Sequence, residues 1–189
     1  KTKVVSAFRP DNAMFITRPT FGDYMKKLSA TAEIPIQSFQ DMLKALELRL
    51  QYFRQVETTV SDDGIPYLFW EDFTMDEIEA IWQKAMRGEV LTSKEENQYI
   101  SAFLFHMGQL YYDHGFVMQL HIGTYLDCNR KGVAVVGQSC GFDCTDDSTS
   151  ILSVGALLNR LTEIGKLPKT ILYPLDAAKQ ENFAILAAG

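Results

Sequence analysis

Arg9, Asp62 and His121 each stand where an apolar, strand-length run gives way to a turn. Arg9 follows Val4-Val5-Ser6-Ala7-Phe8 and precedes Pro10-Asp11. Asp62 follows the β-branched run Val56–Val60 and precedes Asp63-Gly64. His121 comes late in Gly115-Phe116-Val117-Met118-Gln119-Leu120-His121-Ile122-Gly123, just ahead of the glycine where the chain must turn. A guanidinium is matched in shape to carboxylate or phosphate, a carboxylate and an imidazole can move protons, and an imidazole can ligate a metal. Each residue also has a plain alternative. Arg9 can pair with Asp11, Asp62 and Asp63 can form a turn before Gly64, and His121 can donate to a backbone carbonyl. Spacing alone supports an α/β protein with a candidate metal or sugar-acid site.

The elements that must position these residues alternate along the chain. Val4–Phe8 reads as a strand that ends at Arg9-Pro10-Asp11. A short helix is expected over Thr20–Leu28, with Thr20 and Asp23 as a capping box, and a longer one over Ser38–Phe53. Val56–Val60 reads as the second strand. Two helices follow, opened by the capping boxes Thr74/Glu77 and Thr92/Glu95 and closed at Gly88 and Gly115. His106 falls within the second of these as a packed or solvated residue, and His114 near its end as a favourable cation. After the third strand, Gly115–Gly123, a long polar loop runs from Thr124 to about Ser148, the length of a lid or binding loop. A helix ending at Gly165, a fourth strand over Pro168–Tyr173 and a last helix capped by Asp176 complete the order. Strands alternating with amphipathic helices imply right-handed crossovers and a parallel sheet, whose carboxyl ends put Arg9, Asp62 and His121 on one face.

The chain has 189 residues, enough for one domain with a core but short of the roughly 250 of a complete eight-stranded α/β barrel. A net charge of −6 spread along the chain gives no basic patch for nucleic acid. No apolar run approaches the roughly 20 residues of a membrane span. Cys128, Cys140 and Cys144 are odd in number and lack zinc-type paired spacing, which favours reduced thiols in a cytoplasmic protein. The chain opens at Lys1 almost directly into a strand pattern, with no methionine and no leader, so an internal piece of a longer protein is expected.

The runs Phe8-Arg9-Pro10-Asp11-Asn12-Ala13, Thr20-Phe21-Gly22-Asp23-Tyr24-Met25, Val60-Ser61-Asp62, Leu120-His121-Ile122-Gly123, Gly141-Phe142-Asp143 and Leu167-Pro168-Lys169-Thr170-Ile171-Leu172-Tyr173 occur in this order. Together they resemble uronate isomerase (glucuronate isomerase), an amidohydrolase-superfamily barrel, over essentially all 189 residues. The resemblance implies a single domain, residues 1–189, forming a partial (β/α)8 TIM barrel, about strands three to six with their helices. It implies an aldose–ketose isomerase that interconverts D-glucuronate with D-fructuronate and D-galacturonate with D-tagaturonate in sugar-acid catabolism. It also implies one divalent metal, commonly zinc, held by a first-strand His-x-His and an eighth-strand Asp.

Carried over by resemblance, Arg9 serves substrate anions, Asp62 binds sugar hydroxyls or takes part in catalysis, and His121 is catalytic and beside or on the metal. Two departures stand out. Leu126 occupies a position where the family usually has Arg, with Arg130 four residues later as a substitute from the loop. No His-x-His occurs anywhere in the chain, so the piece alone is expected to be inactive. The expected partners are a hexuronate and, through unpaired sheet edges, further copies of the chain in a homo-oligomer, with neither nucleic acid nor membrane. Two alternatives remain open: a self-associating half-barrel module that does not catalyse, and a different metal-dependent amidohydrolase.

Overall fold

Parallel pairing of four segments in chain order organises the computed structural model, which describes residue 2, residues 4–138 and residues 140–189. The first segment is reduced to one residue. Phe8 bridges Ser61, its N–H donating to Val60 and its carbonyl accepting from Asp62. The expected strand over Val4–Phe8 is therefore not formed before Phe8, and Val4 and Val5 are exposed. Chain-local β propensity does not make a strand where no partner backbone runs alongside.

Helix α1 (Asp11–Met14) is a single turn, followed by α2 (Phe21–Ala32) and α3 (Phe39–Gln55). Ser38 caps α3 by accepting from the Asp41 N–H at 3.0 Å. Thr20 does not cap α2: its backbone is already helical (φ −85°, ψ −3°), so its hydroxyl meets no free amide, and the expected Thr20/Asp23 box is absent. The second strand also shifts. Helix α3 runs to Gln55, and Val117 N–H donates to Thr59. Pairing then continues through the Val60–Val117 bridge into β1 (Asp63–Ile65). The expected Val56–Val60 run thus contributes only its end.

Helices α4 (Met75–Met86) and α5 (Ser93–Asp113) begin with complete capping boxes at Thr74/Glu77 and Thr92/Glu95, as the sequence indicates. Strand β2 (Met118–Ile122) pairs with β1 on one side and with β5 (Thr170–Pro174) on the other, giving the order β1-β2-β5. The stretch after β2 is not structureless. It holds β3 (Thr124–Tyr125), helix α6 (Arg130–Val136) and β4 (Cys144–Thr145), with β3 and β4 antiparallel. Helix α7 (Ile151–Glu163) precedes β5. Asp176 then caps a short 3₁₀ turn, accepting from Ala178, ahead of α8 (Gln180–Ala188).

The pleat decides what each strand offers. Met118, Leu120 and Ile122 are buried against the helices, while Gln119 and His121 face the other side. The helical layer is pinned by edge-to-face rings, Phe39 on Tyr99 at 5.5 Å and Phe21 on Trp82 at 5.5 Å, all buried. No helix among the described residues is long and apolar enough to cross a membrane. The three cysteines are free, exposed thiols.

Candidate active site

Strand register brings together what the sequence separates. Gly64, His121 and Tyr173 are paired positions across β1, β2 and β5, so their side-chain positions share one face of the sheet. The His121 and Tyr173 rings stack at 4.5 Å with 8° between their planes, and the Tyr173 hydroxyl donates to Gln119 Oε1 at 2.9 Å. Asp62, two residues before Gly64, sits on that same face. Its Oδ1 lies 2.7 Å from His121 Nδ1.

Gly64 supplies the space for the next member. A Cβ there would stand 2.8 Å from Arg9 Nη2 and 2.9 Å from Asp11 Oδ2, so the missing side chain is what lets both lie over the strand. Arg9 Nε donates to Asp11 Oδ2 at 2.8 Å and Nη1 to Asp62 Oδ2 at 2.9 Å, while the Gly64 N–H donates to Asp11 Oδ1 at 3.1 Å. One guanidinium therefore spans two carboxylates. Partial burial works against its charge, but Asp11 and Asp62 outweigh this, and the pKa of Arg9 is raised. Burial raises that of Asp11, against the bonds from Arg9 and Gly64.

The three expected residues thus converge as Arg9–Asp62–His121. The His121–Asp62 contact is close but poorly directed, leaving His121 Nδ1 and Asp62 Oδ1 buried without a well-formed hydrogen bond. Gly123, with φ +86°, turns the chain out of β2; its N–H donates to Ile65 and its carbonyl accepts from Asp146. A Cβ at this position would meet the Asp146 carbonyl at 2.5 Å, so glycine is required here.

A cavity of about 240 Å³ opens beside this row, at the carboxyl ends of the parallel segments. Arg9, Asp11 and Asn12 line it from the loop after Phe8, Gly64 and Pro66 from β1 onward, and Thr124 and Leu126 from beyond β2. Arg18 and Phe15 complete the wall. Arg130 opens α6 on an exposed surface and is not among the lining residues. Reading the sequence by strand ends does not find Arg18, Gly64 or Tyr173. Asp11, inside the Arg-Pro-Asp run, was visible only as a partner for Arg9.

Behind the site, on the helix side of β1, Asp63 is buried. It accepts from Ser61 Oγ at 2.6 Å and from the Tyr111 hydroxyl at 2.9 Å, and burial outweighs these bonds to push its carboxyl up to about 7. Ser61 Oγ also accepts from the Gln119 N–H at 3.1 Å, tying β1 to β2. His106 is packed against Phe39 and Phe73, and His114 contacts Glu47 Oε1 at 3.1 Å; both lie away from the site.

No three His, Cys, Asp or Glu side chains among the described residues are placed to hold a metal ion. A divalent metal therefore does not fit a donor set built from these residues alone. His121, with Nδ1 against Asp62, has Nε2 as its remaining donor.

The family model UxaC, glucuronate isomerase, matches residues 1–189. The uronate isomerase of Geobacillus thermodenitrificans is 39% identical over 176 residues, which is 93% of this chain and 38% of that protein. That of Shouchella clausii is 39% identical over 181 residues, 96% of this chain and 38% of its own. Among solved structures, uronate isomerase from Thermotoga maritima superposes with a TM-score of 0.85 at 24% identity, covering 97% of this chain and 40% of that one. Glucuronate isomerase from Caulobacter crescentus gives 0.81 at 26% identity, covering 93% and 36%. The two superpositions make the fold a segment of the uronate isomerase barrel, and the chain spans about 38% of the length of the curated relatives it matches. By the match across its whole length, the chain belongs to the glucuronate isomerase family.

Proposed function

We propose that this chain carries the sugar-handling face of an aldose–ketose isomerase acting on hexuronates, converting D-glucuronate to D-fructuronate and D-galacturonate to D-tagaturonate. The observation that carries the reading is the Arg9–Asp62–His121 row, of which Arg9 lines a cavity sized for one monosaccharide, below the roughly 300–1,000 Å³ typical of drug-sized sites. Asp62 and His121 adjoin the cavity through Arg9 and are not among its lining residues.

Isomerisation takes the proton from C2 of the open-chain aldose and returns a proton to C1, while the O2 hydroxyl proton is lost and O1 gains one. His121 and Asp62 are the groups for that transfer. Asp62 lies against Nδ1 at 2.7 Å, and Nε2 is the nitrogen left to accept and return the proton. Arg9 holds Asp62 in place and, with its side chain 56% exposed, is open to the sugar's oxygens. Arg130, expected as a substrate-binding group, opens α6 on an exposed surface outside the cavity lining and is assigned no role. The divalent metal of the family, zinc by resemblance, would draw at most His121 from the described residues. Turnover of D-glucuronate to a ketose by the complete enzyme that contains this segment, followed by reduction of the product, tests the reading. A His121→Asn protein as active as the parent would remove this site from the reaction.

A second reading, self-association of a binding module, is favoured by the edge of the sheet. Among the described residues β5 pairs only with β2, and beside it Leu158, Leu167, Ile171 and Phe183 line an apolar groove of about 1080 Å³. Sedimentation analysis distinguishes it: a stable oligomer without uronate turnover would favour the module, and a monomer would discard it.

A further inference from the structure

We infer that Arg18, rather than Arg9, anchors the carboxylate of the substrate. The inference rests on the hexuronate reading above and assigns the acid end of the sugar to one wall of the cavity.

The two guanidiniums that line the cavity are in opposite electrostatic situations. Arg9 is bound to Asp11 through Nε and to Asp62 through Nη1, and its Nη2 lies over Gly64. Two carboxylates beside one cation leave that corner with no surplus positive charge for an incoming anion. Arg18 makes no ion pair among the described residues. Its guanidinium carbon stands over the Phe15 ring, 3.8 Å from the centroid. A cation–π contact of this kind restrains the guanidinium without using its N–H donors.

The backbone holds Arg18 in place as well. Its N–H donates to Phe15 and its carbonyl accepts from Phe21, closing the turn that leads into α2. The neighbouring acid, Glu96, is occupied, accepting from the Thr17 and Tyr67 hydroxyls at 2.7 and 3.1 Å. A stacked, unpaired guanidinium at the rim of a small cavity is suited to bidentate capture of a carboxylate. With the acid end held there, the rest of the open-chain sugar shares the cavity with Arg9, whose Nη1 holds Asp62. The apolar Leu126 on the same wall offers no competing charge.

Equilibrium titration of the protein with D-glucuronate and with its neutral amide, D-glucuronamide, tests this. Arg18→Met should weaken D-glucuronate binding at least about ten-fold, the loss expected for a charge-assisted hydrogen-bonded pair, and leave the amide's affinity unchanged. Arg18→Lys, which keeps the charge but not the fork, should fall between. Arg18 is exposed, so both variants should fold. Equal weakening of acid and amide, or no weakening of either, overturns the role of Arg18. If the parent prefers the acid in those cases, the hexuronate reading stands without it. A parent that binds neither ligand overturns both.

Discussion

His121 Nδ1 and Asp62 Oδ1 stand 2.7 Å apart, both shielded from water, yet neither completes a well-directed hydrogen bond. The rest of the site explains why they stay there. Asp62 Oδ2 is held by Arg9 at 2.9 Å, and the His121 ring is stacked on Tyr173, so neither side chain can turn to improve the contact without giving up another. Two such atoms facing each other within the Arg9–Asp62–His121 row single this pair out for a test of function.

Asp62→Asn keeps the shape of that contact and removes its charge. Arg9 retains Asp11, so the fold should melt close to the parent. If Asp62 holds the imidazole for proton transfer, turnover of D-glucuronate by the complete enzyme carrying the substitution should fall roughly 10²–10⁴-fold, the range of general acid–base contributions. Parallel assays of turnover and thermal unfolding check this; unchanged turnover would remove Asp62 from the chemistry.

Tyr173 acts through His121 and is a positioning residue. Tyr173→Phe keeps the stacked ring and loses only the bond to Gln119, so kcat should stay near the parent value. Tyr173→Leu removes the stack, worth about 0.5–1.5 kcal/mol, and lets the imidazole tilt. Its kcat should fall with little change in KM, and the pH–rate profile should shift. A merely structural role would instead lower the melting temperature of both variants alike.

What the sequence made legible was local. The Thr74/Glu77 and Thr92/Glu95 boxes and the Asp176 cap each depend on residues within three positions, and all three form. The Thr20/Asp23 pattern matched equally well but failed, because the turn after Phe15 had already set Thr20 in a helical backbone. Strand limits were least legible, since they depend on distant partners. Val4 and Val5 look like strand but have none, whereas Ser61 and Asp63 look like turn yet are buried and paired through Tyr111 and Gln119. The convergence of Arg9, Asp62 and His121 could be anticipated from their placement at strand ends. Stacking of Tyr173 on His121 and of Arg18 on Phe15 could not, because register and loop path decide both.

Gly64→Ala tests the clamp from below. The new methyl would press on Arg9 Nη2 and Asp11 Oδ2, both side-chain tips, so they should move while the strand persists. Stability should change by no more than about 1 kcal/mol. Displacing Arg9 weakens its bond to Asp62, and kcat/KM for D-glucuronate should drop by about five-fold or more, the factor equivalent to roughly 1 kcal/mol. Steady-state kinetics beside urea unfolding would show it. A large loss of stability with normal kinetics would mean that the glycine serves packing alone.

Asp63 gives the fold a pH dependence of a definite sign. Burial raises its carboxyl to about 7 in the folded protein, against 3.8 as the ordinary value. Between those values the folded state holds a proton that the unfolded state has released, so stability is complete below about pH 4 and declines as pH rises toward 7. The full span would amount to about 4 kcal/mol at 1.36 kcal/mol per unit, reduced by whatever relaxation admits water. This runs opposite to the usual exposed, ion-paired carboxylate. Asp63→Asn cannot ionise but can still accept from Ser61 and Tyr111, so it should flatten that decline and be relatively more stable at pH 8 than at pH 5. Urea unfolding of parent and variant at the two pH values measures the difference. Equal slopes would place the titration elsewhere and leave the Ser61–Asp63–Tyr111 cluster as a fixed tie between β1 and α5.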